Sequence, residues 1–282
     1  MTTLMADPRP FVHHPVLLDR VLELFDPVPA GTVVDTTLGG AGHAVALLDA
    51  REDLRILGID RDPQALAVAR ARLAPYGSRA EAHHARSDQL AAVVAASGAA
   101  SQPITGVLAD LGVSSPQFDD AERGFSYRHD AALDMRMDPT TGPSAADLVN
   151  SYDEARLAEL LRTYGEVDNA MRVAKAITAA RATKRITTTQ QLLAALKTVA
   201  PRQGESSFLA QVFQALRIAV NDELGSLEAL LKQSAEVIRP GGRLVVMSYH
   251  SLEDRMVKNW MRGGDFSGEE HKDIYGNRIR PF

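Results

Sequence analysis

The chain has no cysteine, which excludes disulfides and thiolate-ligated metal centres. It lacks any run of about 18 apolar residues, the length that a membrane-spanning helix requires. Met1–Pro10 shows no basic start followed by an apolar core, so no secretory signal is expected. No Gly-Lys-Ser/Thr follows a glycine-rich turn, which excludes a P-loop. There is also no overall excess of positive charge. The net charge is −5, so a nucleic-acid partner would have to announce itself locally. What is present is 282 residues, 45 % apolar and 24 % charged, enough for one large or two modest globular domains. A cytoplasmic protein is the expectation.

The chain is organised around Thr32-Val33-Val34-Asp35-Thr36-Thr37-Leu38-Gly39-Gly40-Ala41-Gly42-His43. A β-branched run ends in an acid, and a glycine-rich turn opens into the apolar segment Ala44–Leu48. Strand, loop and helix in that order let backbone N–H groups approach a ligand closely. A second strand, Ile56-Leu57-Gly58-Ile59, ends in Asp60, where a carboxylate can accept both hydroxyls of a ribose. The pattern predicts a nucleoside cofactor. A dinucleotide is disfavoured, because Gly40-Ala41-Gly42 is followed by His43, Ala44 and Val45, with a β-branched residue where a small one belongs. Asp35 would repel a pyrophosphate but could receive an ammonium or sulfonium, which points to S-adenosylmethionine.

A weak strand near Glu81–His84 and a buried one over Gly106–Asp110 continue the alternation. Arg239-Pro240-Gly241-Gly242 turns into a fifth strand, Arg243–Ser248, which leads to Tyr249-His250 at the same edge. Three strands ending in Asp35, Asp60 and Asp110 are more than helix capping requires. Leu66, Val68, Ala69 and Leu73 are expected in the core. Between Phe118 and about Ala215 the strand signal stops, and amphipathic segments follow at Ser144–Asn150, Asp153–Tyr164, Asp168–Ala182 and Thr188–Val199. The expected division is 1–115 and 216–282 for the sheet, with 116–215 as a helical insertion. From Arg156 to Arg202 there are nine Lys/Arg against three Asp/Glu, a local +6. Arg181, Lys184 and Arg185 cluster at a helix end, which suggests a phosphate-contacting surface. Gln214, Arg217 and Asn221 form a polar stripe that either lines the cleft or faces water. The pair His13-His14 lacks a third ligand at metal-binding spacing, so no metal is expected and a surface or cleft-lid role is preferred.

Seven stretches carry a resemblance. They are His13–Asp19 (HHPVLLD), Asp35–His43 (DTTLGGAGH), Gly58–Leu66 (GIDRDPQAL), Asp110–Tyr127 (DLGVSSPQFDDAERGFSY), Leu133–Pro139 (LDMRMDP), Val212–Leu224 (VFQALRIAVNDEL) and Ser248–Arg255 (SYHSLEDR). In that order, over most of the chain, they closely resemble the bacterial 16S ribosomal RNA cytosine-N4 methyltransferase family (RsmH/MraW). The resemblance implies an α/β fold: a class I, Rossmann-like S-adenosylmethionine-dependent methyltransferase sheet with an inserted all-α domain. It implies methylation of the exocyclic N4 amine of a cytidine in the decoding region of 16S rRNA, within the small ribosomal subunit. Family cofactor contacts carry onto Ala41, Gly42, His43, Asp60, Ser87, Asp110 and Gln117, beside Asp35 and Gly39 from the strand–loop reading. Relatives often hold glycine at Ala41 and can place an aromatic at Ser87. They also run past the equivalent of Phe282 into a basic tail, so a truncated end is expected.

Cytosine N4 is a poor nucleophile because its lone pair is delocalised into the ring. The protein must therefore align the amine and accept a hydrogen bond from it. Asp110 is the expected acceptor, Tyr249 or Phe125 the aromatic that stacks on a flipped base, and His250 a proton relay. A homodimer remains open. So do a methyltransferase acting on another RNA or DNA amine, a nicotinamide oxidoreductase and a non-catalytic RNA-binding ribosome assembly factor.

Overall fold

The computed structural model describes residues 15–113, 117, 120–269, 273 and 275. His13 and His14 lie outside the described residues, as do Ser114–Pro116, Phe118 and Asp119 of the Asp110–Tyr127 stretch.

Five strands make one all-parallel sheet. They are β1 (Gly31–Asp35), β2 (Leu54–Asp60), β3 (Ala80–His84), β4 (Ile104–Asp110) and β5 (Ile238–Met247), in the order β3-β2-β1-β4-β5. Central β1 and β4 read as continuous apolar runs because helices cover both faces. Val33, Ile56 and Leu108 pack on one face with Val21 and Phe25 of α1 (Leu18–Phe25), Leu47 and Leu48 of α2 (Gly42–Ala50), and Leu66, Ala69 and Leu73 of α3 (Pro63–Leu73). Their neighbours Val34, Leu57, Ile59 and Val107 face the other side, against Leu90 of α4 (Leu90–Ala96). Each fully buried Val or Leu contributes about 1.5–3 kcal/mol over exposure, so the sheet's position is fixed by its centre.

One apolar assignment fails for a geometric reason. Val68 is 53 % exposed, since at 100° per residue it lies about 200° round α3 from Leu66. Val16 and Leu17 precede α1 and are exposed. The expected turn at Arg239–Gly242 lies inside β5, where the register with β4 shifts between Ile104 and Gly106.

A separate helical core follows. It is built by α5 (Ala145–Ser151), α6 (Glu154–Gly165), α7 (Ala170–Thr183), α8 (Thr189–Leu196) and most of α9 (Glu205–Asn221). Ser144 and Asp147 form a capping box on α5. Asp153 and Thr188 cap α6 and α8. Leu157, Leu161, Val173, Ile177, Leu192, Val212 and Leu216 are the centre of this core. Phe125 lies in it too, 7 % exposed. An aromatic so enclosed cannot stack on a base, so that expectation is withdrawn.

The segment from Ser206 to Leu224 belongs to α9 as far as Asn221. Asp222, at φ 49°, breaks it and α10 (Glu223–Val237) starts in a new direction. Leu227, Leu230 and Leu231 then cover the sheet beside Trp260 of α11 (Ser251–Gly263). The stripe Gln214, Arg217 and Asn221 neither lines the cleft nor faces water. Gln214 donates to the Tyr164 carbonyl, Arg217 pairs with Glu223, and Asn221 donates to the Met135 carbonyl and accepts from Met137 N–H.

Candidate active site

A cavity of about 350 Å³ opens at the carboxyl edge of the sheet, where a parallel α/β sheet places its ligands. One wall is the turn between β1 and α2. Gly39 has φ 51° and donates its N–H to Asp60 Oδ2 at 2.7 Å. Gly42 lies against Pro15, where an added Cβ would fall 2.5 Å from Pro15 Cγ. Asp60 accepts a second N–H, from Asp62, on Oδ1 at 2.8 Å. Burial raises its carboxyl above the ordinary range, and these two N–H groups hold it back. Asp62 is held in turn by Gln117 Nε2 at 2.8 Å and Arg123 Nη1 at 3.0 Å.

The three strand-end aspartates do not reach the cavity equally. Asp35 pairs in register with Gly58 of β2 and Leu108 of β4, two residues before Asp60 and Asp110. At about 3.3 Å per residue it sits about 7 Å below them. It is 2 % exposed and not on the wall. Burial, with the charges of Asp110 and Asp60, lifts its carboxyl to about 7 against the Thr37 N–H bond. Direct receipt of a cation, the role expected for Asp35, passes to groups above it.

Asp110 is on the wall. Its N–H donates to Thr37 Oγ1 at 2.6 Å, its Oδ1 accepts the Tyr249 hydroxyl at 2.6 Å, and its Oδ2 lies 3.8 Å from His43 Nε2. Burial and the Asp110 bond push the Tyr249 phenol above its ordinary range, so it remains a donor. Gly39, Gly42, His43, Asp60, Ser87, Asp110, Gln117 and Tyr249 all line this one cavity. Ala41 is buried behind it as the left-handed N-cap of α2. His250 is off the wall. Its Nδ1 accepts the Glu253 N–H as the cap of α11, and its Nε2 faces Glu253 Oε1 at 3.2 Å.

Among the wall residues that went unread in the sequence are Thr37, Arg72, Glu223 and Glu253. Thr37 lay within the DTTLGG word and Glu253 within SLEDR, so both had a local signal, whereas Arg72 had none. Glu253 is 3 % exposed and accepts the Tyr249 N–H at 3.0 Å. Among the described residues one trio has metal-ligand proximity, Glu223, His250 and Glu253, and the Arg217 guanidinium already pairs with Glu223 at 2.8 Å.

The wall holds four carboxylates, Asp60, Asp110, Glu223 and Glu253, against Arg61 and Arg72. That balance suits a nucleoside bearing positive charge and fits S-adenosylmethionine, whose ribose Asp60 would hold beside the glycine turn.

Comparison with known proteins agrees. The model of the MraW methylase family matches residues 10–269. Three proteins named "Ribosomal RNA small subunit methyltransferase H" are similar to the chain. That of Amoebophilus asiaticus is 44 % identical over 99 % of this chain and 88 % of its own length. That of Cytophaga hutchinsonii is 43 % identical over 96 % and 89 %, and that of Kocuria rhizophila 48 % over 87 % and 76 %. On a family match spanning the sheet, the cavity and the helical core alike, the chain belongs to the MraW methylase family.

Proposed function

We propose that the chain transfers a methyl group from S-adenosylmethionine to the exocyclic N4 amine of a cytidine in the decoding region of 16S rRNA. The observation that carries this reading is the juxtaposition of Asp60 and Asp110 on one wall beside the glycine turn, in a member of this family. Bound there, the donor supplies a methyl group on sulfonium, and its C–S bond breaks as C–N forms.

The chain's own residues do the rest. Asp60, oriented by the N–H groups of Gly39 and Asp62, accepts from the ribose hydroxyls. Asp110 accepts an N–H of the amine, which returns electron density to the nitrogen and aligns it for in-line attack. It then takes the departing proton and passes it to water. Tyr249, 55 % exposed at the wall, supplies the stacking face for an unstacked base. Lys175, Lys184 and Lys197 are exposed on or beside α7 and α8, and their charge suits the phosphates of a structured RNA. The helical core, with its own apolar centre, is the substrate-recognition unit of 116–215. No described helix is long and apolar enough to cross a membrane, and an rRNA substrate places the enzyme in the cytoplasm.

The test uses purified protein, methyl-labelled donor and small ribosomal subunits lacking the mark, with the RNA digested to nucleosides. Label in N4-methylcytidine is the expected outcome. Donor binding without label would mean the acceptor is wrong, and absence of both would sink the reading.

A further inference from the structure

The hydroxyl of Tyr249 sits where a substrate amine would have to sit. It donates to Asp110 Oδ1 at 2.6 Å, the length of a charge-assisted bond, and an N4 amine would offer the same carboxylate the same kind of donor. The ring lies beside Gly112, where an added Cβ would make ordinary van der Waals contact, 3.6 Å from Tyr249 Cδ2. More than half of the residue faces solvent. Its backbone, by contrast, is fixed, with Tyr249 N–H on the buried Glu253 carboxylate, which also faces His250. A pinned backbone carrying a half-exposed ring, with the side chain anchored at its tip to Asp110, is built for rotation about the side chain alone.

We propose that Tyr249 is a placeholder for the substrate amine. This rests on the reading of Asp110 as the amine acceptor. With the base absent, the hydroxyl satisfies Asp110 and covers its approach. On entry the amine takes over the carboxylate, and the released ring stacks on the base it has admitted. Every entering base must displace that hydroxyl, and only one with an N–H donor satisfies Asp110 in its place.

Two substitutions separate the two halves of the residue. Tyr249→Phe keeps the ring and removes the competitor, and Tyr249→Ala removes both. With S-adenosylhomocysteine bound, affinity is measured for a short single-stranded RNA carrying the target cytidine, and for the same RNA carrying N4,N4-dimethylcytidine. Tyr249→Phe is expected to bind the cytidine RNA about fivefold more tightly than the unsubstituted protein, the worth of one hydrogen bond no longer displaced. The dimethylated RNA, which displaces the same hydroxyl, is expected to gain by a similar factor while remaining the weaker ligand. Tyr249→Ala is expected to bind both about tenfold more weakly, from the lost stacking face. Thermal unfolding followed through Trp260 checks that both variants are folded.

Equal or weaker binding of the cytidine RNA by Tyr249→Phe overturns the placeholder, and so does a gain on only one of the two RNAs. These outcomes leave the proposed function standing if the unsubstituted protein methylates cytidine in small subunits. If it does not, the amine acceptor is misassigned and the placeholder falls with it.

Discussion

The sheet edge and the helical core solve opposite problems. At the sheet edge, carboxylates gather on a cavity wall, and each has its own partners: Asp60 the N–H groups of Gly39 and Asp62, Asp110 the Tyr249 hydroxyl, Glu253 the Tyr249 N–H and Glu223 the Arg217 guanidinium. In the helical core the centre is apolar, from Leu148 through Leu216, and cations are left to the outside. One region spends burial on fixing negative charge, the other on holding a shape that can carry positive charge. The comparison explains how an acidic chain can serve an RNA: the charge an RNA needs is confined to one region, away from the charge the donor needs.

The two regions meet through polar contacts. Arg61 donates to the Asn221 carbonyl of α9, Arg123 and Gln117 converge on Asp62, and Glu166 at the end of α6 accepts from Ser251 and Arg255 of α11. The last pair lies directly after Tyr249-His250, so the helical core touches the segment that closes the amine acceptor.

Breaking the acidic side should have the largest effect. Asp110→Ala is expected to lower turnover by about 10²–10⁴-fold, with donor affinity changed far less, as single-turnover kinetics and calorimetry would separate. Full turnover would remove Asp110 from the mechanism. Next comes the seam. Arg123→Ala leaves Asp62, 2 % exposed, with Gln117 and the α3 N-terminus but no cation. A loss of about 3 kcal/mol in denaturant unfolding is expected, and a loss below about 1 kcal/mol would mean the pair is not what joins the two regions.

Asp35 gives a pH signature of comparable size. Its folded pKa of about 7 lies above its unfolded value of 3.8, so between those limits the native state binds more protons than the unfolded chain. Stability is therefore fully present below about pH 4, falls as pH rises, and levels off above pH 7, by about 4 kcal/mol at the most. Asp35→Asn should flatten that slope, and an unchanged slope would show that another group carries it. The basic side should respond more gently. Lys184→Ala is expected to weaken binding to ribosomal RNA and to reduce the salt dependence by about one phosphate contact, with kcat unaltered. Smallest is Ala41→Gly, which removes a Cβ at φ 60° and relieves about 1 kcal/mol of left-handed strain, partly offset by the lost buried methyl. Calorimetric melting would read the balance.

Much of this was legible without coordinates. DTTLGGAGH and the acids ending β2 and β4 marked the edge of the sheet, and DLGVSSPQ and SLEDR carried the family. Amphipathic spacing located α5 to α8, because that signal acts over a few residues. What failed depended on distance in space. Nothing local distinguishes Val68 from a core residue, warns that Asp222 breaks a helix, or reveals that the Gln214–Asn221 stripe is spent on carbonyls and a partner acid.

The sequence by itself therefore determined the class of fold, the kind of cofactor and the segments that face it, since strand-end acids and glycine turns follow from short-range backbone physics. Only the tertiary structure decided which acids reach the cavity and what each one touches. Parallel register set Asp35 two residues below Asp60 and Asp110. Packing of β5 beside β4 delivered Tyr249, 139 positions away, to the Asp110 carboxylate. Register and packing are properties of pairs of segments, and no single segment contains them.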